Sequence, residues 1–250
     1  MTTGLLDLFK AREGVVCFTG AGGKKTTMFR LAAEHGGRVG LTTTAHIEYF
    51  PRNLPATRYV DAEAALLKAV REDRESDVIA FATPSQRRGR HAGISLAAVS
   101  EFRDQGRFDL LLIKSDGARS RLIKAPNDNE PPIPDCADTV IPIVSARAIG
   151  RRLSGKFAHR PDRLTVVTGI RPGEKLLPEH MARLLAAADG SLKNTGRARV
   201  VPLINMVDDD NREALARETA EQALTLTDRF DYVVLARMRD DDPVVDVIYR

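Results

Sequence analysis

The stretch "VVCFTGAGGKKTTMFRLAAEHG", Val15–Gly36, restricts the possible folds more than any other part of the chain. A continuous apolar run, Val15–Thr19, gives way to Gly20, Ala21, Gly22 and Gly23, then to two lysines and an amphipathic segment closed by a glycine pair. An uninterrupted apolar run is what a parallel strand buried on both faces requires. A glycine turn from such a strand into a helix opens a βαβ unit. Glycines allow backbone N–H groups to point inward, and the start of the helix adds a partial positive charge, so the junction suits a phosphate.

The pattern for a phosphate loop is G-x-x-x-x-G-K-[ST], in which the lysine reaches the terminal phosphates and the hydroxyl meets Mg²⁺. Lys24 directly follows Gly23 as the pattern asks, but Lys25 takes the place of the hydroxyl. Lys25 is followed by Thr26 as the pattern asks, but lacks its glycine. The favoured assignment pairs Lys25 with Thr26 and keeps Lys24 as a second phosphate contact. Gly20, Ala21, Gly22, Gly23, Lys24, Lys25, Thr26 and Thr27 are the expected nucleotide contacts. A bland glycine turn with two solvated lysines needs neither the three glycines nor the strand-to-helix context.

The remainder of the chain repeats this alternation. Strand patterns at 38–44, 77–83, 108–114, 139–145 and 198–208, the last running into a loop, are separated by helical patterns at 61–73, starting on Asp61 as an acidic cap, 96–106, 177–190 and 210–230. The run "YVVLARM", the acidic turn Asp240–Asp242 and "PVVDVIYR" read as a closing strand pair. The expected fold is α/β and P-loop NTPase-like, one nucleotide-binding domain over residues 1–250. Its mainly parallel sheet carries helices on both faces and an antiparallel C-terminal edge. Segments 115–134 and 150–164 are irregular and charge-rich, and are expected to be active-site loops.

A phosphate loop needs a carboxylate at the end of a neighbouring strand to orient the metal. "FDLLLIKSD" supplies Asp116 directly after its apolar run, so Thr26 and Asp116 are the candidate Mg²⁺ residues. Thr42, Thr43 and Thr44 end the second strand, where one hydroxyl is expected to face the crevice at the strand C-termini. "NMVD" at Asn205–Asp208 matches both polar ends of the guanine-reading N-K-x-D pattern, with Met206 in place of lysine; Asp208 as a simple helix cap is the alternative. ATP and GTP both remain open as the nucleotide. The basic loops place Arg119, Arg121 and Lys124 near Asp116 in sequence, and His159 and Arg160 further on. Guanidinium groups beside a phosphate site stabilise charge on a transferred phosphoryl group, and His159 is a candidate base or second-substrate contact. Lys24, Lys25, Asp116, Arg119, His159 and Arg160 therefore form the expected catalytic set.

Several function classes are excluded by expectation. A net charge of +4 and an aromatic content of 5% argue against a nucleic-acid platform, although "SQRRGRHAG" at 85–93 is dense in arginine. No run approaches the roughly 18 apolar residues of a membrane span. The N-terminus carries Asp7 among its leucines and does not read as a signal peptide. Two cysteines far apart, Cys17 and Cys136, point to a reducing compartment, so the chain is expected to be cytoplasmic.

Taken together, "GAGGK" with "TTMFRLA", "TTTAHI" at Thr42–Ile47, "SDGARSRLIKAP" at Ser115–Pro126, "NEPPIP" at Asn129–Pro134 and "HRPDRL" at His159–Leu164 resemble the YqeC family, accessory factors of selenium-dependent molybdenum hydroxylases. The resemblance implies a P-loop-like nucleotide-binding protein. Its partner would be a molybdenum hydroxylase or a cofactor precursor, and its reaction NTP hydrolysis or phosphoryl transfer. The chain departs from the family pattern at Lys25, where a hydroxyl usually follows the lysine, and at Lys114-Ser115, where an acidic residue is favoured. The loop "TGAGGKKTT" also resembles that of the Mur ligases, which are longer and carry a further C-terminal domain. A non-catalytic, nucleotide-gated chaperone or carrier is the remaining alternative.

Overall fold

The computed structural model describes residues 4–250. They divide into two compact units, one of residues 4–18, 27–117 and 132–139, the other of residues 19–26, 118–131 and 140–250.

In chain order the elements that supply the first unit are α1 (Leu5–Leu8), β1 (Gly14–Gly20, of which Thr19 and Gly20 belong to the second unit), α2 (Lys24–Glu34, of which Lys24, Lys25 and Thr26 belong to the second unit), β2 (Val39–Thr43), β3 (Ile47–Glu48), β4 (Thr57–Val60), α3 (Glu63–Glu72), β5 (Val78–Ala82), β6 (Arg90–His91), α4 (Val99–Gly106) and β7 (Leu110–Lys114). β1 pairs with β7, β7 with β2, β2 with β5 and β5 with β4, all parallel. Every residue of β2 and of β7 is buried, which is why β2 carries no charged residue and β7 opens with the apolar run Leu110–Ile113. Phe81 of β5 stacks on Phe102 of α4 with ring centroids 4.8 Å apart, and on Phe108 at 5.8 Å. Arg38 caps this corner. Its guanidinium lies 5.6 Å from the Phe108 ring centre and donates to the carbonyls of Asp73, Ser76 and Gly106. The acidic cap expected at Asp61 is displaced: α3 starts from Ala62, and Asp61 accepts the Ala62 N–H at 2.7 Å. β4 has no apolar run because three of its four residues are exposed.

The second unit contains β8 (Ile123–Lys124), β9 (Thr139–Ser145, of which Thr139 belongs to the first unit), β10 (Ala158–His159), α5 (Pro161–Thr168), α6 (Pro178–Ala186), β11 (Arg199–Val200), β12 (Leu203–Asn205), α7 (Asp210–Leu226), β13 (Tyr232–Ala236) and β14 (Val244–Tyr249). β12 lies parallel between β9 and β13, and β14 closes antiparallel on β13. The run expected as one strand over 198–208 breaks at Pro202 into β11 and β12, because proline has no N–H to give a ladder. Asp209 caps α7, accepting the Arg212 N–H at 2.9 Å, so Asp208 is not the cap. Val144, Met181, Leu185, Ile204, Leu224 and Leu235 belong to the buried apolar cluster of this unit.

Within the first unit the strands are ordered β1-β7-β2-β5-β4, all parallel, and within the second β14-β13-β12-β9 with β11 beside β9, the antiparallel pair sitting at the C-terminal edge. This is the α/β, P-loop-like class expected from the sequence.

Candidate functional site

The glycine loop follows β1 and opens α2, as its composition requires. Gly20 has φ +80°, and a Cβ there would lie 2.2 Å from the Ile143 carbonyl oxygen. Gly23 has φ +133°, and a Cβ there would lie 2.2 Å from Nδ2 of Asn205. A side chain at Gly20 would force the loop off β9, and one at Gly23 would displace the Asn205 amide. Between them, Ala21 is buried and its N–H donates to Ile143 O at 2.8 Å.

The two lysines have different fates. Lys24 is buried, 7% exposed, and its Nζ folds back to donate to the carbonyl of Gly20, inside the turn of the loop. Lys25 is half-buried on the next helical position. Of the two hydroxyls that follow, Thr26 lines an open cleft and Thr27 is fully buried.

That cleft is lined by Gly23 and Thr26 from the loop, Arg147 just beyond β9, Asn205, Met206 and Asp208 at the end of β12, and Arg237–Asp240 after β13. Every contributor follows the C-terminal end of a parallel strand, where open α/β sheets bind their ligands. Asn205 is a brace as well as a wall. Its Nδ2 donates to Gly22 O at 2.7 Å, and its Oδ1 accepts the Met238 N–H at 3.1 Å. Met206 holds a left-handed backbone, φ +64°, which is uncommon for a residue with a side chain, and its sulfur accepts from Ser145 Oγ at 3.1 Å. Asp208 is engaged by Arg147 Nε at 2.5 Å, with Arg212 3.6 Å away. The arrangement thus combines a cationic glycine loop with a neighbouring wall of polar and methionine side chains.

The basic loops meet elsewhere in the second unit. β8 and β10 pair in parallel, His159 beside Lys124, so the segments around 123 and 159 form one ribbon. Lys124, its side chain 1% exposed, donates to Glu130 Oε2 at 2.6 Å. Arg160 grips the same carboxylate through both oxygens, at 2.5 and 3.0 Å. These two cations hold the Glu130 carboxyl below its usual range against the opposing effect of burial. Burial, then Arg160, Lys124 and Arg119, push His159 down to about 4, with only Glu130 opposing. At neutral pH its imidazole is therefore uncharged, too weak a base for efficient proton abstraction there but able to donate one N–H. The segment after Arg121 is fastened: Lys193 Nζ donates to Asn127 O at 2.6 Å and Asn194 Nδ2 to Pro131 O at 3.0 Å. Such ties oppose free lid motion of this stretch.

The other predicted residues belong to the first unit. Asp116 follows β7 and is 2% exposed. The three threonines donate to backbone carbonyls: Thr42 to Phe81 at 2.8 Å, Thr43 to Lys114 at 2.6 Å and Thr44 to Pro132 at 2.7 Å. Lys114 turns its Nζ to the His46 carbonyl. Burial, Arg87, Arg90 and Lys114 lower His46.

Sequence reasoning missed Arg147, Arg237, Met238 and Asp240. Each lies within four residues of the end of an apolar strand, which was the available signal; without a motif, nothing distinguished them from other loop residues. Among the described residues no helix is long and apolar enough to cross a membrane, and both cysteines are free thiols.

The YqeC protein family model matches residues 16–162, a span that holds the glycine loop, Asp116 and the ion network but ends before Asn205 and Asp208. A protein of Escherichia coli (strain K12) described as "Uncharacterized protein YqeC" is 28% identical over 186 residues, covering 73% of this chain and 72% of its own. With more than half of its length matched by the family model, the chain belongs to the YqeC family.

Proposed function

We propose that the protein binds a purine nucleoside triphosphate, ATP or GTP, with Mg²⁺ in the cytoplasm. Its activity is hydrolysis of that nucleotide, or transfer of its phosphoryl group, during maturation of a molybdenum cofactor or a selenium-dependent molybdenum hydroxylase. The last part rests on the family resemblance alone. The nucleotide part is carried by one observation: a buried lysine closes a strained glycine loop at a strand-to-helix junction, and that loop opens onto a cleft walled by Thr26, Asn205 and Asp208. Lys24 is assigned as the phosphate lysine, because a phosphate entering the loop meets its Nζ where the Gly20 carbonyl now does. This reverses the preference for Lys25 drawn from motif spacing. Mg²⁺ typically takes one or two protein oxygens and completes its shell with water and substrate phosphates, which a single Thr26 hydroxyl on the cleft fits. When bound it would neutralise charge between the terminal phosphates. Asp116 remains the candidate metal carboxylate on its position after β7 in the sequence. Arg119, His159 and Arg160 are assigned to the second substrate.

The test is calorimetric titration of the full chain with ATP, GTP and CTP, with and without Mg²⁺, alongside Lys24→Ala and Asp116→Asn. Mg²⁺-dependent binding of one purine nucleotide that Lys24→Ala removes supports the reading. Absence of binding by any nucleotide to the folded wild type overturns it. Binding without turnover, even with a partner hydroxylase present, would leave the carrier function in place of the enzymatic one.

A further inference from the structure

We infer that Arg119, Lys124, His159 and Arg160, organised by Glu130, form a second anion site in the same unit, built for a small tetrahedral oxyanion such as the phosphate group of an acceptor substrate. The site deepens the proposed function by naming a chemical class for the second substrate, and it stands whether or not the glycine loop takes a nucleotide.

The first argument is the cost of the arrangement. Lys124 presents a side chain that is 1% exposed, and Arg160 one that is 26% exposed, to a single glutamate. Burying charges costs more than the pair returns unless the geometry is good, and a simple tie between two segments would need one cation. A second cation on the same carboxylate, with a third nearby, is an arrangement for holding positive charge in place. Glu130 then acts as the positioning residue: it occupies the Arg160 fork and fixes the Lys124 ammonium beside the β8–β10 ribbon.

The second argument is that the cationic character reaches solvent. Arg119 sits at a turn in which it and Ser120 both have left-handed backbones, φ +48° and +58°. It is exposed and, among the described residues, makes no ion pair. Even so, it acts on His159 together with Arg160 and Lys124. The half-buried imidazole therefore lies within the electrostatic reach of all three cations. An anion placed there is attracted by three cations and can accept the neutral imidazole N–H. With Lys124 and Arg160 already on the Glu130 carboxylate, the donors offered are the exposed Arg119 guanidinium and the His159 N–H, which come from separate segments. Donors in several directions suit the oxygens of a tetrahedral anion better than the two parallel oxygens of a carboxylate.

The experiment uses the full chain and sulfate as probe, followed by NMR of the histidine ring protons at pH 6 and through an acid titration. Expected is a saturable shift of the His159 resonance at pH 6, and a rise of its midpoint from about 4 by roughly one pH unit as the anion offsets the three cations. Arg119→Gln, at an exposed position, is expected to weaken sulfate by about fivefold to tenfold. Lys24→Ala is expected to leave the His159 response intact, which separates this site from the glycine loop. The proposal is overturned if His159 ignores sulfate, or if chloride at matched ionic strength has the same effect. It is equally overturned if the response disappears in Lys24→Ala but persists in Arg119→Gln, since the only anion site would then be the glycine loop.

Discussion

Adjacent lysines of identical chemistry take unequal positions because a helix turns its side chains by about 100° per residue. Lys24, at the first position of α2, is directed back into the loop and buried; Lys25, one position on, is half-buried. A charge-assisted contact to phosphate is worth about 1.5–3 kcal/mol, so Lys24→Ala is expected to weaken nucleotide binding roughly tenfold to a hundredfold. Lys25→Ala is expected to cost less than about tenfold. A competition assay with a fluorescent nucleotide measures both, and equal losses would remove the distinction drawn from burial. Gly20→Ala tests the loop itself. Its left-handed φ costs about 1–2 kcal/mol for a residue with a Cβ, before the overlap with the Ile143 carbonyl is relieved. The variant is expected to melt earlier and to bind nucleotide poorly; unchanged melting would show that the loop relaxes at little cost.

Between elements, one side chain often settles what a strand or loop does. Asn205 links the end of β12 to the glycine loop through Gly22 and to the segment after β13 through Met238. Asn205→Ala leaves a donor-less carbonyl and an unaccepted N–H, a cost of about 1–3 kcal/mol each where water cannot replace the partner. Asn205→Asp keeps the Met238 contact but sets a carboxylate against the Gly22 carbonyl. It is therefore expected to affect nucleotide binding more than overall stability. Chemical denaturation and nucleotide titration of the two variants separate these effects, and loss of stability in both without any change in affinity would make Asn205 purely structural. Glu130 plays the corresponding part for the ribbon of β8 and β10. Glu130→Ala leaves the Lys124 ammonium buried without this partner, and breaking such a pair costs about 3–5 kcal/mol. A calorimetric melt should show a large downward shift; a variant as stable as wild type would mean that Lys124 reaches solvent readily.

For the whole molecule, four of the five histidines, His46, His91, His159 and His180, have protonation disfavoured in the folded state, in each case chiefly by burial. Their folded-state pKa values lie below the unfolded value of about 6.5, so the unfolded chain takes up protons first as pH falls. Stability is therefore expected to be retained above about pH 6.5 and to fall progressively toward pH 4, the folded value of His159. Glu130, lowered in the folded state, adds a loss in the same direction at more acid pH. Urea denaturation at pH 7, 6 and 5 measures this, and His159→Gln should flatten the slope between pH 6.5 and 4. A slope identical to wild type would show that His159 protonates freely in the folded chain.

What the sequence could determine was local. Strands β1, β5, β7 and β9 were legible because burial on both faces leaves mostly apolar runs, β2 because strand-favouring threonines follow its apolar start, and the glycine loop because glycine best tolerates its backbone. The α/β class and the antiparallel edge followed from the order of those runs. β4 stayed hidden because an exposed edge strand has no apolar signature, and Pro202 was a visible break in a run that nevertheless read as one strand. The tertiary structure alone decided which lysine is buried in the loop, that Asn205 braces Gly22, and that Arg147 rather than a helix N-terminus holds Asp208. It also brought Arg160, thirty positions on, to the Glu130 carboxylate that Lys124 already holds. The Asn205, Arg147 and Arg160 contacts join distant positions, set by strand order and packing, and no periodicity within a window of neighbouring residues encodes them.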